Sequence, residues 1–255
     1  MNKLFEGQRA FVTGGGSGIG RACALALAAE GCFVTVAGRT ESTLGQTVAL
    51  IAETGGAAQA VKCDVTVESM VRSAIDAAAG EPGRLDVAVN SAGYDGSTEA
   101  PITEWTSYML DEMLSANVRG TFQSMKFELE VMQRQGSGSI VNIGSDAGLL
   151  GVPGHSGYVA SKHAGIGLTR SAALEFAAEG IRVNTVCPGL VDTPLIHNPS
   201  TGELYDYITP LIAAHPIGRI AQPSEVADAV VWLASAKASY VTGVALSIDG
   251  GYATA

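Results

Sequence analysis

Charge is scarce in this sequence, and basic charge scarcer still. Only 16% of its 255 residues are Asp, Glu, Lys or Arg, and 15 Lys and Arg stand against 25 Asp and Glu, for a net charge of −10. That excludes a nucleic-acid surface, which needs clustered Lys and Arg; acidity itself names no partner and chiefly favours solubility. Cysteine is rare: Cys23, Cys32, Cys63 and Cys187 are scattered through apolar segments with no C-x-x-C, so buried free thiols are expected. His155, His163, His197 and His215 lack a metal-binding spacing, and no metal is expected. No apolar run is long enough to span a bilayer. The opening MNKLFEGQRAFVTG has no apolar h-region, so no signal peptide is expected and a cytosolic location is. Repeats, low-complexity tracts and linkers are also missing, which makes 1–255 a single domain.

What the sequence has in quantity is apolar surface, at 47% of residues, together with Gly and Ala. Short β-rich runs alternate with Ala/Leu-rich helical stretches. The expected strands are Arg9–Thr13, Phe33–Ala37, Ala58–Cys63, Leu85–Asn90, Ser139–Ile143, Arg182–Val186 and Ala245–Ile248. Helices are expected to start near Gly18, Thr43, Glu68, Thr103, Gly157 and Ser224. Runs such as FVTVA are apolar on both faces, as buried parallel strands are. Strict alternation implies right-handed crossovers and an α/β, doubly wound, Rossmann-type sheet. The rhythm breaks at about 193–217, where TPLIHNPSTGELYDYITPLIAAHP carries four prolines; such an excursion is expected to be a substrate loop.

TGGGSGIG follows the first strand and opens a helix. Its spacing, Gly14-x-x-x-Gly18-x-Gly20, enclosing Ser17 and Ile19, lets the backbone approach a pyrophosphate at a helix amino terminus. At the end of the second strand, VAGRT puts Gly38 where a carboxylate would bind the ribose hydroxyls of NAD. Arg39 follows and pairs with a 2′-phosphate, with Thr40 available for a hydrogen bond, so NADP(H) is favoured over NAD(H) even though Ser17 supplies no second base. In GYVASKHAG, Tyr158 and Lys162 are four apart and share a helix face. A phenol titrates near pH ~10. A neighbouring ammonium is expected to lower that and make Tyr158 a proton-transfer group near neutrality.

Taken with Ser145 in NIGSDAG, these motifs make the chain resemble the short-chain dehydrogenases/reductases over nearly its whole length. CDV at 63–65 is similar to the family's adenine-side motif, with Asp64 the contact and Val65 beside it. NSAG at 90–93 resembles N-N-A-G, with Ser91 in place of the second Asn and Asn90, Ala92 and Gly93 matching. PGLVDT at 188–193, including Pro188, Gly189, Val191 and Thr193, resembles the segment that closes over nicotinamide, and VTGVALSIDGG the last strand. The resemblance implies a seven-stranded parallel sheet. It also implies a homotetramer built through helices near 105–134 and 157–179, and reversible hydride transfer between nicotinamide and a carbonyl or secondary alcohol. It assigns Tyr158 as acid/base and Ser145 as hydrogen-bond donor to the substrate oxygen. Lys162 would lower the Tyr158 pKa and bind ribose, Asn117 would hold a relay water, and Thr193 would bind the carboxamide.

The substrate wall is expected from Tyr94, Asp146, Leu149, Leu150 and His155, and from Leu190, Ile196 and Tyr205 of the loop side. Four of these are aliphatic and no Lys or Arg cluster joins them, which points to a small apolar molecule. The HPIGR and SYVTG segments look like those of bacterial members acting on cyclic alcohols and ketones. A 3-oxoacyl thioester reductase is the alternative; its carrier phosphates need basic helices, and here Arg119, Lys126 and Arg134 are offset by Glu104, Asp111, Glu112, Glu128 and Glu130. A dinucleotide sensor without catalysis is a third reading. A serine hydrolase lacks its G-x-S-x-G elbow.

Overall fold

Valine, isoleucine and alanine on consecutive positions build a sheet that is buried on both faces. In the computed structural model, which describes residues 3–81, 83–95, 99–198, 200–206 and 208–254, the strands are β1 (Arg9–Thr13), β2 (Phe33–Gly38), β3 (Ala57–Lys62), β4 (Val87–Asn90), β5 (Gly138–Ile143), β6 (Ile181–Pro188) and β7 (Ala245–Ile248). The helices are α1 (Gly18–Ala29), α2 (Glu41–Glu53), α3 (Glu68–Ala79), α4 (Ser107–Leu114), α5 (Gly120–Gln135), α6 (Ser156–Phe176), α7 (Ile208–Ala214) and α8 (Pro223–Ala234). All strand pairs are parallel, in the order β3-β2-β1-β4-β5-β6-β7. The order reverses between β1 and β4, and the crevice beyond the carboxyl ends of those strands is where doubly wound sheets bind their ligands.

Alternate strand residues feed two cores. Val12, Val34, Val89 and Val141 pack with Leu27 of α1 and Val230 of α8 on one face. Phe11, Ala88, Ile140 and Val183 pack with Ile75 of α3 and Met132 of α5 on the other. Full burial of each large aliphatic side chain contributes about 1.5–3 kcal/mol, which is why the strands lack the polar/apolar alternation of half-exposed ones.

Several boundaries depart from expectation, β6 among them, which runs Ile181–Pro188 rather than Arg182–Val186. β4 starts at Val87 rather than Leu85, because Gln135 takes the Leu85 N–H (3.0 Å) and carbonyl (2.7 Å) out of the ladder. The helix expected at Thr103 is a 3₁₀ turn over Ile102–Glu104; extended Trp105 interrupts it, and α4 begins only after Thr106 accepts the Met109 N–H. The third strand lies one residue earlier, at Ala57–Lys62. Within the proline-rich excursion, Pro194–Ile196 make a 3₁₀ turn, His197 and Leu204 bridge antiparallel, and α7 follows.

Candidate active site

The glycine turn after β1 is shaped by residues the motif does not contain. Arg21 of α1 donates to the Gly16 carbonyl and to Thr47 Oγ1 (3.0 Å), and Thr47 donates to the Gly15 carbonyl (2.9 Å). These bonds tie the turn's carbonyls to α2. Ser17 lies exposed at the N-cap with no side-chain capping bond, and Ile19 packs partly into the core. Gly14 has φ +65°, and a Cβ there would stand 2.9 Å from the main chain of Ser91 and Ala92. Thr13 Oγ1 holds those same residues, accepting the Ser91 and Ala92 N–H groups at 3.1 Å each. The ends of β1 and β4 are thereby locked together at the reversal of strand order. Thr193 comes across from the β6 side: a Cβ on Gly18 would lie 3.2 Å from its methyl group.

Arg39 and Thr40 are exposed at the mouth of the same crevice. Asp64 Oδ1 accepts the Thr66 N–H (3.0 Å) and hydroxyl (2.7 Å). The Thr66 N–H holds this carboxyl below the usual range; burial opposes, and the Thr66 hydroxyl and the Arg39 charge add to it. The Val65 carbonyl is taken by Gln123 Nε2. The side chain of Asn90 turns away from the crevice, giving its Nδ2 hydrogens to Glu128 Oε2 (3.0 Å) and Asn142 Oδ1 (2.9 Å), so only its backbone faces a cofactor. Gly189 N–H bonds the Ile248 carbonyl after Pro188 closes β6, and Val191 bridges Ala221.

Ser145, Tyr158 and Lys162 converge beyond β5 and on the first turns of α6. Lys162 Nζ lies 5.4 Å from the Tyr158 ring centre and donates to the Ile143 carbonyl at 3.2 Å, while Ser145 Oγ donates to Asp146 Oδ1 at 2.8 Å. The expected lowering of Tyr158 is not found in this arrangement. Burial pushes its hydroxyl well above the tyrosine range; the Ser145 hydroxyl opposes this, and the Asp146 and Asp95 carboxylates reinforce it. Burial also lowers the Lys162 ammonium to about 8. Burial thus acts on both groups, so the pair does not behave as two exposed helix residues.

Asn117 sits in a π-helical turn, Ser115–Arg119, joining α4 to α5. Such turns concentrate at functional sites. Its Oδ1 accepts the Tyr94 N–H (2.7 Å), and its Nδ2 donates to the Tyr94 carbonyl (2.7 Å) and Ser161 Oγ (3.0 Å). Both ends of the amide are committed to fixing the chain after β4, beside Gly93, and the Asn117 backbone carbonyl accepts the Thr121 hydroxyl. Trp105, not singled out by any motif, covers the start of α6: a Cβ on Gly157 would run into its ring.

The expected substrate wall divides. Leu149 and Tyr94 are exposed, Leu150, Leu190 and His155 part-buried, and His155 makes no capping bond for α6 through its side chain. Ile196 is buried beneath the loop, where its carbonyl accepts the Tyr205 N–H (3.1 Å), so Ile196 and Tyr205 shape the loop itself. Asp146 is engaged with Ser145 rather than waiting as free wall. His215 was missed as part of this region. It is buried, stacks on Tyr252, bonds the Leu211 carbonyl through Nδ1, and accepts the Leu190 N–H at Nε2. Among the described residues no three His, Cys, Asp or Glu cluster as metal ligands, all four cysteines are unbridged, and no helix is long and apolar enough to cross a membrane.

Comparison with known proteins carries this geometry to a family. A family model described as Enoyl-(Acyl carrier protein) reductase matches residues 14–253. The chain is 41% identical over 250 residues to 2,5-dichloro-2,5-cyclohexadiene-1,4-diol dehydrogenase of Sphingobium indicum, covering 97% of each. It is 39% identical over 256 residues to cyclohexanol dehydrogenase of an Acinetobacter species, covering 99% of this chain and 97% of that one. The crystal structure of levodione reductase matches with a TM-score of 0.93 at 34% identity, covering 98% of this chain and 99% of the other. With sheet order, glycine turn and relatives agreeing over almost every residue, the chain belongs to the short-chain dehydrogenase/reductase family, oxidoreductases that exchange hydride between a nicotinamide dinucleotide and CH–OH groups.

Proposed function

We propose that this protein interconverts cyclic secondary alcohols and ketones using NADP(H), in the cytosol. The observation that carries the reading is the convergence of Ser145 after β5 with Tyr158 and Lys162 on α6, the Lys162 Nζ 5.4 Å from the Tyr158 ring centre. The cofactor supplies or takes the hydride when bound. Gly14, Gly18 and Gly20 would hold its pyrophosphate at the α1 amino terminus, Asp64 its adenine side, and Thr193 its carboxamide. Arg39 and Thr40 would hold the 2′-phosphate: both are exposed, and no carboxylate occupies position 38 to repel it. Tyr158 gives the proton to the substrate oxygen in reduction and takes it in oxidation, Ser145 shares a hydrogen bond with that oxygen, and Lys162 steadies the charge on Tyr158.

Leu149, Leu150 and Leu190, all at least partly accessible, favour an apolar ring as substrate, as do the cyclic compounds in the names of the relatives above. A carrier-bound thioester is disfavoured because Lys126 is spent on Glu68 (2.8 Å). Exposed Phe122 on α5 and Leu174 on α6 support a homotetramer joined through those helices. The test is steady-state oxidation of cyclic and linear secondary alcohols with NADP and NAD side by side. Turnover of cyclic alcohols with NADP is expected; turnover with NAD alone overturns the cofactor, and turnover of acetoacetyl thioester but not cyclohexanone overturns the substrate. Tight NADPH binding with no turnover of any carbonyl points to the sensor.

A further inference from the structure

Backbone polar groups taken out of water need partners, and the segment after β6 finds them in separate places. The Gly189 N–H goes to the Ile248 carbonyl (3.1 Å), the Leu190 carbonyl accepts the Ala221 N–H (3.0 Å), and the Asp192 N–H donates to the Ala221 carbonyl (2.9 Å). The Leu190 N–H falls to a side chain, His215 Nε2, at 3.2 Å. The partners of the ring fix its state. A carbonyl only accepts, so Nδ1 carries the hydrogen given to Leu211 at 2.6 Å; an amide N–H only donates, so Nε2 carries a lone pair. His215 is therefore held as the neutral Nδ1–H tautomer. One nitrogen closes the last turn of α7, and the other holds the segment after β6. A third element braces the ring: Tyr252 stacks on it at 4.6 Å between centres. The Asp249 carboxylate caps the turn that carries Tyr252, accepting the Gly251 (3.0 Å) and Ala253 (2.8 Å) N–H groups, and the Ile217 N–H bonds the Gly250 carbonyl (3.1 Å). The approach is so close that a Cβ on Gly189 would stand 2.7 Å from Nε2.

We propose that His215 is a positioning residue for the substrate wall: by holding the Leu190 N–H against the end of α7, it sets where the Leu190 side chain stands and how tightly the site binds a cyclic substrate. This rests on the wall role proposed above for Leu190. The ring does so from behind the wall, since it is buried and both its nitrogens are spent on the backbone. Losing it would leave the part-buried Leu190 N–H without a partner, and the chain would shift to find one. Ser145 follows β5 and Tyr158 and Lys162 stand on α6, and none of the three makes a bond in this set. The reacting groups therefore keep their places, and what is lost is binding common to the ground state and the transition state, which raises KM and leaves kcat alone.

The experiment compares wild type with His215→Phe and His215→Gln. Phe keeps a ring to stack on Tyr252 and can make neither hydrogen bond; Gln gives up the ring but offers a carbonyl oxygen at the reach of Nε2. Two quantities are read: hydrogen exchange of the Leu190 amide, and KM and kcat at saturating cofactor for the cyclic alcohol turned over best in the panel above. In His215→Phe the Leu190 amide is expected to exchange about tenfold faster and KM to rise about tenfold, the worth of one lost hydrogen bond, with kcat within about twofold of wild type. His215→Gln is expected to bring both the exchange and KM back towards wild type. Exchange and KM unmoved in His215→Phe overturn the inference. So does a His215→Gln as impaired as His215→Phe, or exchange that quickens equally in β1, either of which leaves His215 as a packing residue. Leu190→Ala separates the two levels. An unmoved KM there sinks the wall role of Leu190, whereas a moved KM with an unmoved His215→Phe sinks only the role of His215.

Discussion

Glu128 on α5 has 0% of its surface exposed, yet it is a carboxyl group in the middle of an apolar core. Asn90 Nδ2 donates to its Oε2 at 3.0 Å, while Glu128 Oε1 and Asn90 Oδ1 are buried with no hydrogen-bond partner among the described residues. Burial pushes its pKa up to about 8, against the Asn90 bond. In an unfolded chain the same group titrates near ~4.3. Between those values the folded protein keeps a proton that the unfolded chain has released. The native state then binds more protons, and stability falls as pH rises, by about 1.4 kcal/mol per pH unit for one proton. The contribution is fully present below about pH 4 and is lost as pH climbs through the folded value near 8. Glu128→Gln keeps the shape and an acceptor for Asn90 but cannot ionise. From pH 5.5 to 7.5 the variant should therefore gain about 2–3 kcal/mol on wild type, which is roughly 5–10 °C in Tm for a chain of this size. Thermal melts of both proteins at matched concentration and ionic strength across that range measure it, and their difference cancels every other titrating group. A pH-independent difference, or a variant that loses ground on wild type as pH rises, would refute the reasoning.

Tyr158→Phe should cut turnover by about 10²-fold or more, the scale of general acid–base catalysis, while the dissociation constant of NADPH, read by fluorescence titration, stays near wild type. Arg39→Asp should reverse the NADP/NAD preference in kcat/KM, since a carboxylate repels the 2′-phosphate and binds ribose hydroxyls instead; an unchanged preference would remove Arg39 from the cofactor site. Gly157→Ala should lower stability by about 1–3 kcal/mol through overpacking against Trp105, and turnover should fall with it because Tyr158 is the next residue.

The strands were legible because both faces of the sheet are buried, so FVTVA and RAFVT read as apolar runs whatever their register. Tyr158 and Lys162 were legible because four residues on one helix face is local geometry. What escaped depends on atoms far apart in the chain. Arg21 and Thr47 hold the glycine turn from α1 and α2. Gln135 captures Leu85 from 50 residues away. Trp105 lands on α6 and His215 on Leu190 only once the sheet is assembled. The charge state of Tyr158 escaped for another reason: spacing reports the neighbouring ammonium but says nothing about desolvation, and desolvation is the larger effect here. Asp146 adjoins Ser145 in sequence, but the 2.8 Å bond between them depends on the turn that follows β5.

The π turn at Ser115–Arg119 holds one residue more than an α-helix would use to join α4 to α5. Each residue of a helix advances it by about 1.5 Å and turns it by about 100°. Deleting any single position between Ser107 and Arg119 would let the two helices fuse into one regular rod, gaining ordinary hydrogen bonds. It would also swing α4 by that angle, carrying buried Met113 out of the core and turning Asn117 off the Tyr94 backbone. Substitutions along this stretch alter side chains one at a time, whereas a change of length alters the facing of them all. The number of residues between β4 and α5 is therefore as much a part of the active site as the residues themselves.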